Sequence, residues 1–349
     1  MRKKGMIGEQ VNWIYVLIAG GVILLFFAGV AIKQREVAKK SLAEDSLKVI
    51  DTLTYQPSGS SQMIDFPNLE LKMACNKGST SISIGSAQQL RPLMPVFGAS
   101  TIKSDELLTL TKQWQVPFKV ADFVFLTSRD TRYVVVASGD AKSVALKERI
   151  IKNLPEQAVK EAVAPSAQIM DRNHRRIVII GANLDPSVLV NVPSNDWLKS
   201  SKSKVTVIRI QPEDRVLSAS KASRRGELGY CSLSTGCPAL TGNVNYLEDS
   251  MLFAAIYSEN QASFDCGMER AYQRLTDVSQ VYSARTERLK AYYQADAVVC
   301  GPKYASAPDK VNAIRSAAAA KKAGDLKTAR DSLESENDNA LNAACATIY

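Results

Sequence analysis

Apolar and polar residues are distributed along this chain in three ways, and each predicts a different kind of element. Residues 11–32 form one apolar run without a charged residue. Short apolar runs typical of strands then recur between 69 and 233, separated by polar stretches. From about Tyr246, apolar residues recur at the spacing of one helix face. The pattern therefore predicts an apolar N-terminal helix, a mixed domain and a helical C-terminal region.

The apolar run is long enough to cross a bilayer, because its 22 residues span about 30 Å as a helix. Trp13 and Tyr15 lie near its start, where aromatic side chains favour the membrane interface. A cleaved signal peptide is the alternative, but its apolar core has only about 7–15 residues. We predict a cytoplasmic basic N-terminus over 1–10 and an uncleaved transmembrane helix over 11–32.

The middle of the chain alternates strand-like and helix-like patterns. Residues 33–61 are predicted to form a juxtamembrane helix and a linker. The predicted strands are 69–75, 81–85, 122–128, 131–138, 175–183, 204–211 and 226–233. We expect Asp140 to cap a helix that Pro155 ends, and a further helix over 156–164. This alternation is typical of an α/β (or α+β) domain, here 62–241, with a partly parallel sheet.

The C-terminal region, 242–349, is predicted to be a helical bundle tied together by disulfides. Its apolar stripe indicates one long helix over 267–298. An alanine-rich helical hairpin follows and is expected to turn at Gly324 and Asp325.

The six cysteines of the chain bear on whether the part after the anchor lies in an oxidising or a reducing compartment. They are Cys75, Cys231, Cys237, Cys266, Cys300 and Cys345. None lies in a C-x-x-C motif and one histidine cannot complete a Cys2His2 site, so we expect no metal. An even number of cysteines after an anchor favours disulfides in an oxidising space, with six reduced, buried thiols in the cytosol as the alternative. We predict that 33–349 is extracytoplasmic, and that Cys231 pairs with Cys237 across a short loop.

The length of the predicted helix limits how the other four cysteines can pair. Cys266 and Cys300 lie at opposite ends of the predicted long helix, about 45 Å apart, which is too far for a disulfide. An up-down-up arrangement of helices returns Cys345 to the end that holds Cys300. We predict the pair Cys300–Cys345, which leaves Cys75 for Cys266.

Charge and composition exclude several classes of function. The net charge is +9, but residues 1–40 carry seven basic and two acidic residues, which leaves only +4 for the rest of the chain. We therefore expect no nucleic-acid partner. The single histidine, His174, leaves few general acid–base catalysts near neutral pH, and the chain has no phosphate-binding loop. We predict no catalytic residues and no cofactor.

Two basic clusters, in 171–176 and 222–227, are candidate anion-binding sites. Their basic residues are Arg172, His174, Arg175, Arg176, Arg224 and Arg225. Such groups bind phosphate, anionic headgroups or an acidic partner. Solvated charges at strand ends are the alternative interpretation.

The first ten residues, MRKKGMIGEQ, resemble the class III signal of archaeal type IV pilin-like proteins. Lys3, Lys4, Gly5 and Glu9 match in kind, although Glu9 is the fourth residue after Gly5, where the fifth is typical. The resemblance implies cleavage between Gly5 and Met6 by a prepilin peptidase. It also implies an ion pair between Glu9 and the amino terminus of a neighbouring chain. An ordinary basic flank before an anchor is the alternative.

The segments 9–27, 242–258 and 264–275 resemble uncharacterised membrane-anchored surface proteins of small-genome, Woesearchaeota-like archaea. This resemblance implies an anchored extracellular protein with no assigned activity. We therefore predict a single-pass, non-enzymatic membrane protein for surface interaction or assembly. Its expected partners are the lipid bilayer and other membrane or surface proteins. A pilin-like subunit, and an anchored ligand-binding or hydrolytic α/β domain, are the alternatives.

Overall fold

The computed structural model describes residues 6–85, 90–162, 174–181, 204–213, 224–231, 241–294 and 299–349. Within these ranges the helices are α1 (Met6–Thr54), α2 (Ala141–Asn153), α3 (Glu248–Tyr257), α4 (Gln261–Tyr292), α5 (Gly301–Tyr304), α6 (Ala307–Ala319) and α7 (Ala323–Asn342). The strands are β1 (Ser61–Asp65), β2 (Glu70–Asn76), β3 (Ser79–Ile84), β4 (Val96–Gly98), β5 (Thr101–Lys103), β6 (Glu106–Gln115), β7 (Lys119–Ser128), β8 (Thr131–Ala137), β9 (Val159–Ala162), β10 (His174–Ile180), β11 (Lys204–Pro212), β12 (Arg225–Cys231) and β13 (Thr241–Leu247).

The largest sheet among the described strands has the order β13-β12-β11-β10-β8-β9. Strands β9, β8, β10 and β11 are parallel, whereas β12 and β13 are antiparallel to their neighbours. Strand β8 is buried along its whole length, as expected of a strand covered on both faces. The predicted α/β class with a partly parallel sheet is therefore confirmed.

Two smaller sheets lie on the N-terminal side of the described chain. A four-stranded sheet has the order β1-β6-β7-β4, and a three-stranded sheet has the order β3-β2-β5. One face of the four-stranded sheet and the three-stranded sheet share a hydrophobic cluster with the end of α1, including Ile50, Leu71 and Val124. The other face of the four-stranded sheet belongs to the main core.

Helix α3 lies at the centre of the main core. Every residue from Ser250 to Tyr257 is buried, as expected of a helix that is apolar on all sides. It contacts β4, β6 and β7 of one sheet and β10, β12 and β13 of the largest sheet. The core continues into α4, α6 and α7, so one set of packed side chains joins the mixed domain to the C-terminal helices across residue 241.

Several elements differ from the sequence-based expectations. The helix predicted over 156–164 is wrong within the described residues, because β9 occupies 159–162 and pairs in parallel with β8. The hairpin predicted to turn at Gly324 turns earlier, at 320–322, and Gly324 lies inside α7. The helix predicted over 267–298 begins earlier, and α4 spans Gln261–Tyr292. The helix expected after Asp140 is confirmed, with Asp140 as its N-cap.

Candidate functional site

Over residues 15–32, α1 is an apolar helix that packs against nothing else in the described chain. Trp13 and Tyr15 are 73% and 75% exposed, and the aliphatic residues that follow are similarly exposed. An 18-residue window of this helix has a mean hydropathy of 2.6 and none of it is buried. The helix is therefore long and apolar enough to cross a bilayer.

The second half of α1 joins this apolar segment to the folded body. Ala43 is the first buried residue of this helix from Tyr15 onward, and Leu47, Ile50 and Leu53 are buried after it. The first three belong to the cluster formed with the two smaller sheets. Because α1 is continuous from Met6 to Thr54, the apolar segment is attached to the body through a helix and not through a flexible linker.

Two of the three residues of the predicted processing site lie at the beginning of this helix. Gly5 is outside the described residues, Met6 is the first residue of α1, and Glu9 lies within the helix. The pilin-like interpretation of these residues stays a prediction.

Two disulfides connect distant parts of the chain. Cys75 of β2 is bonded to Cys266 of α4, with their Cα atoms 6.1 Å apart. Cys300 is bonded to Cys345, with Cα atoms 5.7 Å apart. Both pairs agree with the predicted pairing. The predicted Cys231–Cys237 pair remains a prediction, because Cys237 lies outside the described residues.

The two basic clusters lie at opposite ends of the largest sheet. His174, at the start of β10, is in register with Lys204 at the start of β11. Gly226, next to Arg225, is in register with Pro212 at the other end of β11. Lys204 and Pro212 are eight positions apart, which corresponds to about 26 Å of strand. The clusters therefore do not form one anion site. Arg172 is outside the described residues, whereas Arg175 and Arg176 follow His174 in β10.

Arg225 is bound by carboxylates of this chain. Its side chain is 12% exposed, and its guanidinium lies 2.6 Å from Asp331 and 3.6 Å from Glu334 of α7. Arg224, which is more exposed, lies 3.3 Å from Glu248 at the start of α3. Carboxylates of the chain itself therefore bind Arg224 and Arg225, so these two residues are neither simply solvated nor shown to bind an external anion.

Further ion pairs of α7 lie next to those of Arg224 and Arg225. Arg330, whose side chain is 11% exposed, lies 2.8 Å from Glu248 and 2.8 Å from Glu334. Lys327 pairs with Glu213, which follows β11. This ionic cluster fixes α7 against the edge of the largest sheet. The sequence does not reveal this cluster, because the pairs that join α7 to the sheet connect residues many tens of positions apart and share no motif.

A second location follows from the order of the strands. Strand β8 pairs with β9, which follows it in the chain, on one side and with β10 on the other side. The strand order therefore reverses at β8, and open α/β sheets bind ligands at such points. Here Asp140 accepts a hydrogen bond from the backbone N–H of Ser143 at 2.9 Å, and the hydroxyl of Ser138 also donates to it. The hydrogen bonds from Ser138 and Ser143 lower the pKa of Asp140 to about 2.

The charge of the Asp140 carboxylate limits which ligands can bind between the ends of β8 and β10. The N-terminus of α2 attracts negative charge, and Asp140 already supplies it. A Cβ atom on Gly181, after β10, would lie only 2.1 Å from the Ser138 hydroxyl oxygen, so the two strand ends are packed closely. The described residues at this point therefore do not fit a phosphate group. Nor does any group of three or more His, Cys, Asp or Glu side chains in the described ranges suit a metal ion.

Comparisons of the chain with protein families, with curated proteins and with solved structures find no match. The resemblances to pilin-like signals and to archaeal surface proteins therefore stay predictions.

Proposed function

We propose that this chain is a single-pass membrane protein with residues 33–349 on the extracytoplasmic side. It acts without catalysis, through interaction or assembly at the cell surface. The observation that carries the proposal is α1, which is exposed and apolar on all sides over 15–32 and then continues as a helix into the body. In water this surface would favour aggregation, whereas a bilayer buries it fully.

The placement outside the cytoplasm is supported by the disulfides. Cys75–Cys266 and Cys300–Cys345 join segments separated by 191 and 45 residues. Such bonds persist in oxidising compartments and are rare where glutathione and thioredoxin keep thiols reduced. The proposed partners are the lipid bilayer and other membrane or surface proteins, and nucleic acid is not among them.

The orientation can be tested on the full chain in intact cells. We expect external protease to degrade the body without lysis, while peptides from undigested membranes carry the Cys75–Cys266 and Cys300–Cys345 links under non-reducing conditions. A known cytoplasmic protein that survives the same treatment is the control for intact cells. Protection of the body until lysis, together with free thiols at these four cysteines, would contradict the proposal.

The mature N-terminus distinguishes the pilin-like alternative. Sequencing of the membrane-extracted chain is expected to find the residues before α1 intact. A mature chain that starts at Met6 would instead support processing after Gly5 and assembly with neighbouring chains.

A further inference from the structure

A short exposed stem separates the apolar segment of α1 from the body. The uncharged run ends at Ile32, and Ala43 is the first buried residue of the helix from Tyr15 onward. All ten residues between them, 33–42, are exposed. At 1.5 Å per residue this stem is about 15 Å long, so it places the body well outside the hydrocarbon.

The stem is strongly basic. It contains Lys33, Arg35, Lys39 and Lys40, and its only acidic residue is Glu36. Lys40 lies 4.0 Å from Glu44, at the limit of an ion pair and with both side chains well exposed. The described chain shows no ion pair for Lys33, Arg35 or Lys39. This charge is therefore largely uncompensated by the protein.

These four basic side chains surround the helix. Lys33 and Lys40 are seven residues apart and lie on one side, because seven residues make about two turns. Arg35 and Lys39 are four residues apart and lie on the opposite side. We call these four residues the basic collar. A collar suits a flat, charged layer that encircles the helix, whereas a single protein partner would contact one side only.

Two residues of the collar lie at the height of the headgroup layer, and the other two lie just beyond it. The polar layer of a bilayer extends about 5–8 Å beyond the hydrocarbon on each side. Lys33 and Arg35 lie within that layer, and Lys40 lies about 12 Å beyond Ile32 along the axis. A lysine can extend its aliphatic stem towards the phosphates, and charges still interact over about 8 Å at physiological ionic strength.

We propose that the basic collar binds anionic phospholipid headgroups of the leaflet that faces the body. This inference rests on the proposed function, because it requires α1 to cross a bilayer. The group that the collar binds is the phosphate of a lipid whose headgroup is negatively charged overall. Each basic residue near a surface of such lipids strengthens binding about fivefold.

The test uses the full chain reconstituted in vesicles of phosphatidylcholine with one fifth phosphatidylglycerol. Spin-labelled forms of the two lipids report their relative association with the protein. At low salt we expect the labelled phosphatidylglycerol to be preferred about fivefold. The preference should fall towards one in 1 M salt, where the Debye length is about 3 Å.

A matched pair of variants assigns the preference to the collar. K33Q/K39Q/K40Q removes three charges from the stem and is expected to abolish most of the preference. K119Q/K142Q/K322Q removes three exposed lysines from the body and is expected to retain it. Equal preference in the wild type and the stem variant, or equal loss in both variants, would overturn the proposal.

Flotation of the same vesicles separates this inference from the proposed function. A chain that floats with the vesicles but shows no lipid preference overturns the collar alone. A chain that does not float overturns the anchor, and the collar with it.

Discussion

At the scale of single residues, the end of α7 depends on an alanine in an unfavourable conformation. Ala344 has φ = 57°, in the left-handed region that favours glycine. It ends the helix in a Schellman motif, because the N–H of Cys345 donates to Ala340 O at 2.9 Å and that of Ala344 to Leu341 O at 3.0 Å. The motif turns Cys345 back towards Cys300.

We expect Ala344→Gly to stabilise the protein by ~0.5–1 kcal/mol, because glycine adopts this conformation without steric cost. The matched control is Ala313→Gly, at an exposed position inside α6, which is expected to destabilise by about 1 kcal/mol. Denaturant unfolding of the detergent-solubilised chain measures both. The same sign for the two variants would contradict this account of Ala344.

The carboxylate of Asp140 makes stability depend on pH. Its pKa is lowered from 3.8 to about 2 by hydrogen bonds from Ser138 and Ser143. A lowered pKa in the folded state stabilises the fold above the unfolded pKa, and the contribution disappears as the pH falls through the folded pKa. We therefore expect the stability difference between wild type and Asp140→Asn to shrink between about pH 4 and pH 2. Asparagine caps a helix as well as aspartate, so a difference that stays constant over this range would contradict the assignment.

At the scale of elements, α1 is one helix with two environments. Its first part contacts nothing in the described body, and its last turns pack against two sheets. The apolar run alone predicted the first part. Its attachment to those sheets required the tertiary structure, because the buried apolar residues there are only Ala43, Leu47, Ile50 and Leu53, with Ser46 and Thr54 buried beside them.

Leu24→Arg with Leu25→Arg is expected to release the chain from membranes washed with alkaline carbonate. Each arginine near the middle of a span costs about 2.5–3.5 kcal/mol on insertion, and both leucines are more than 70% exposed, so the body loses no contact. Val281→Arg with Leu341→Arg is the control, because these residues are exposed on helices of the body. Equal retention of both variants in the membrane would argue against α1 as the anchor.

For strand β9, the local sequence pattern predicts the wrong element. The segment after Pro155 contains good helix formers, and a helix was the expectation from sequence. In the structure Arg132 to Val135 of β8 pair with Val159 to Ala162. The free edge of β8 offers a row of hydrogen-bonding groups, and satisfying them outweighs a helix propensity of a few tenths of a kcal/mol per residue.

At the scale of the whole molecule, the disulfides tie the layers together. Cys75–Cys266 joins the three-stranded sheet, which contacts α1, to helix α4 of the main core. Cys300–Cys345 closes the bundle formed by α5, α6 and α7. The first bond therefore couples the anchor end of the protein to its C-terminal helices.

Removal of either bond is expected to lower the free energy of unfolding by about 2–4 kcal/mol. The loss should be larger for Cys75→Ser with Cys266→Ser than for Cys300→Ser with Cys345→Ser. The first bond spans 191 residues and the second 45, and the longer loop gives about 1 kcal/mol more entropic stabilisation. Guanidinium unfolding of both variants tests the order, and a reversed order would rule out unfolded-chain entropy as the main contribution.

The apolar helix, most strands of the largest sheet and the two observed cysteine pairs could be predicted from the amino-acid sequence. These properties depend on residues close in the chain, on the length of a helix or on the reach of a disulfide. Tertiary structure alone decided that 159–162 is a strand, that the basic clusters lie at opposite sheet ends, and that Arg225 binds α7. Each of these depends on contacts between residues far apart in sequence. Such contacts cannot be recognised from the local periodicity of apolar and polar residues.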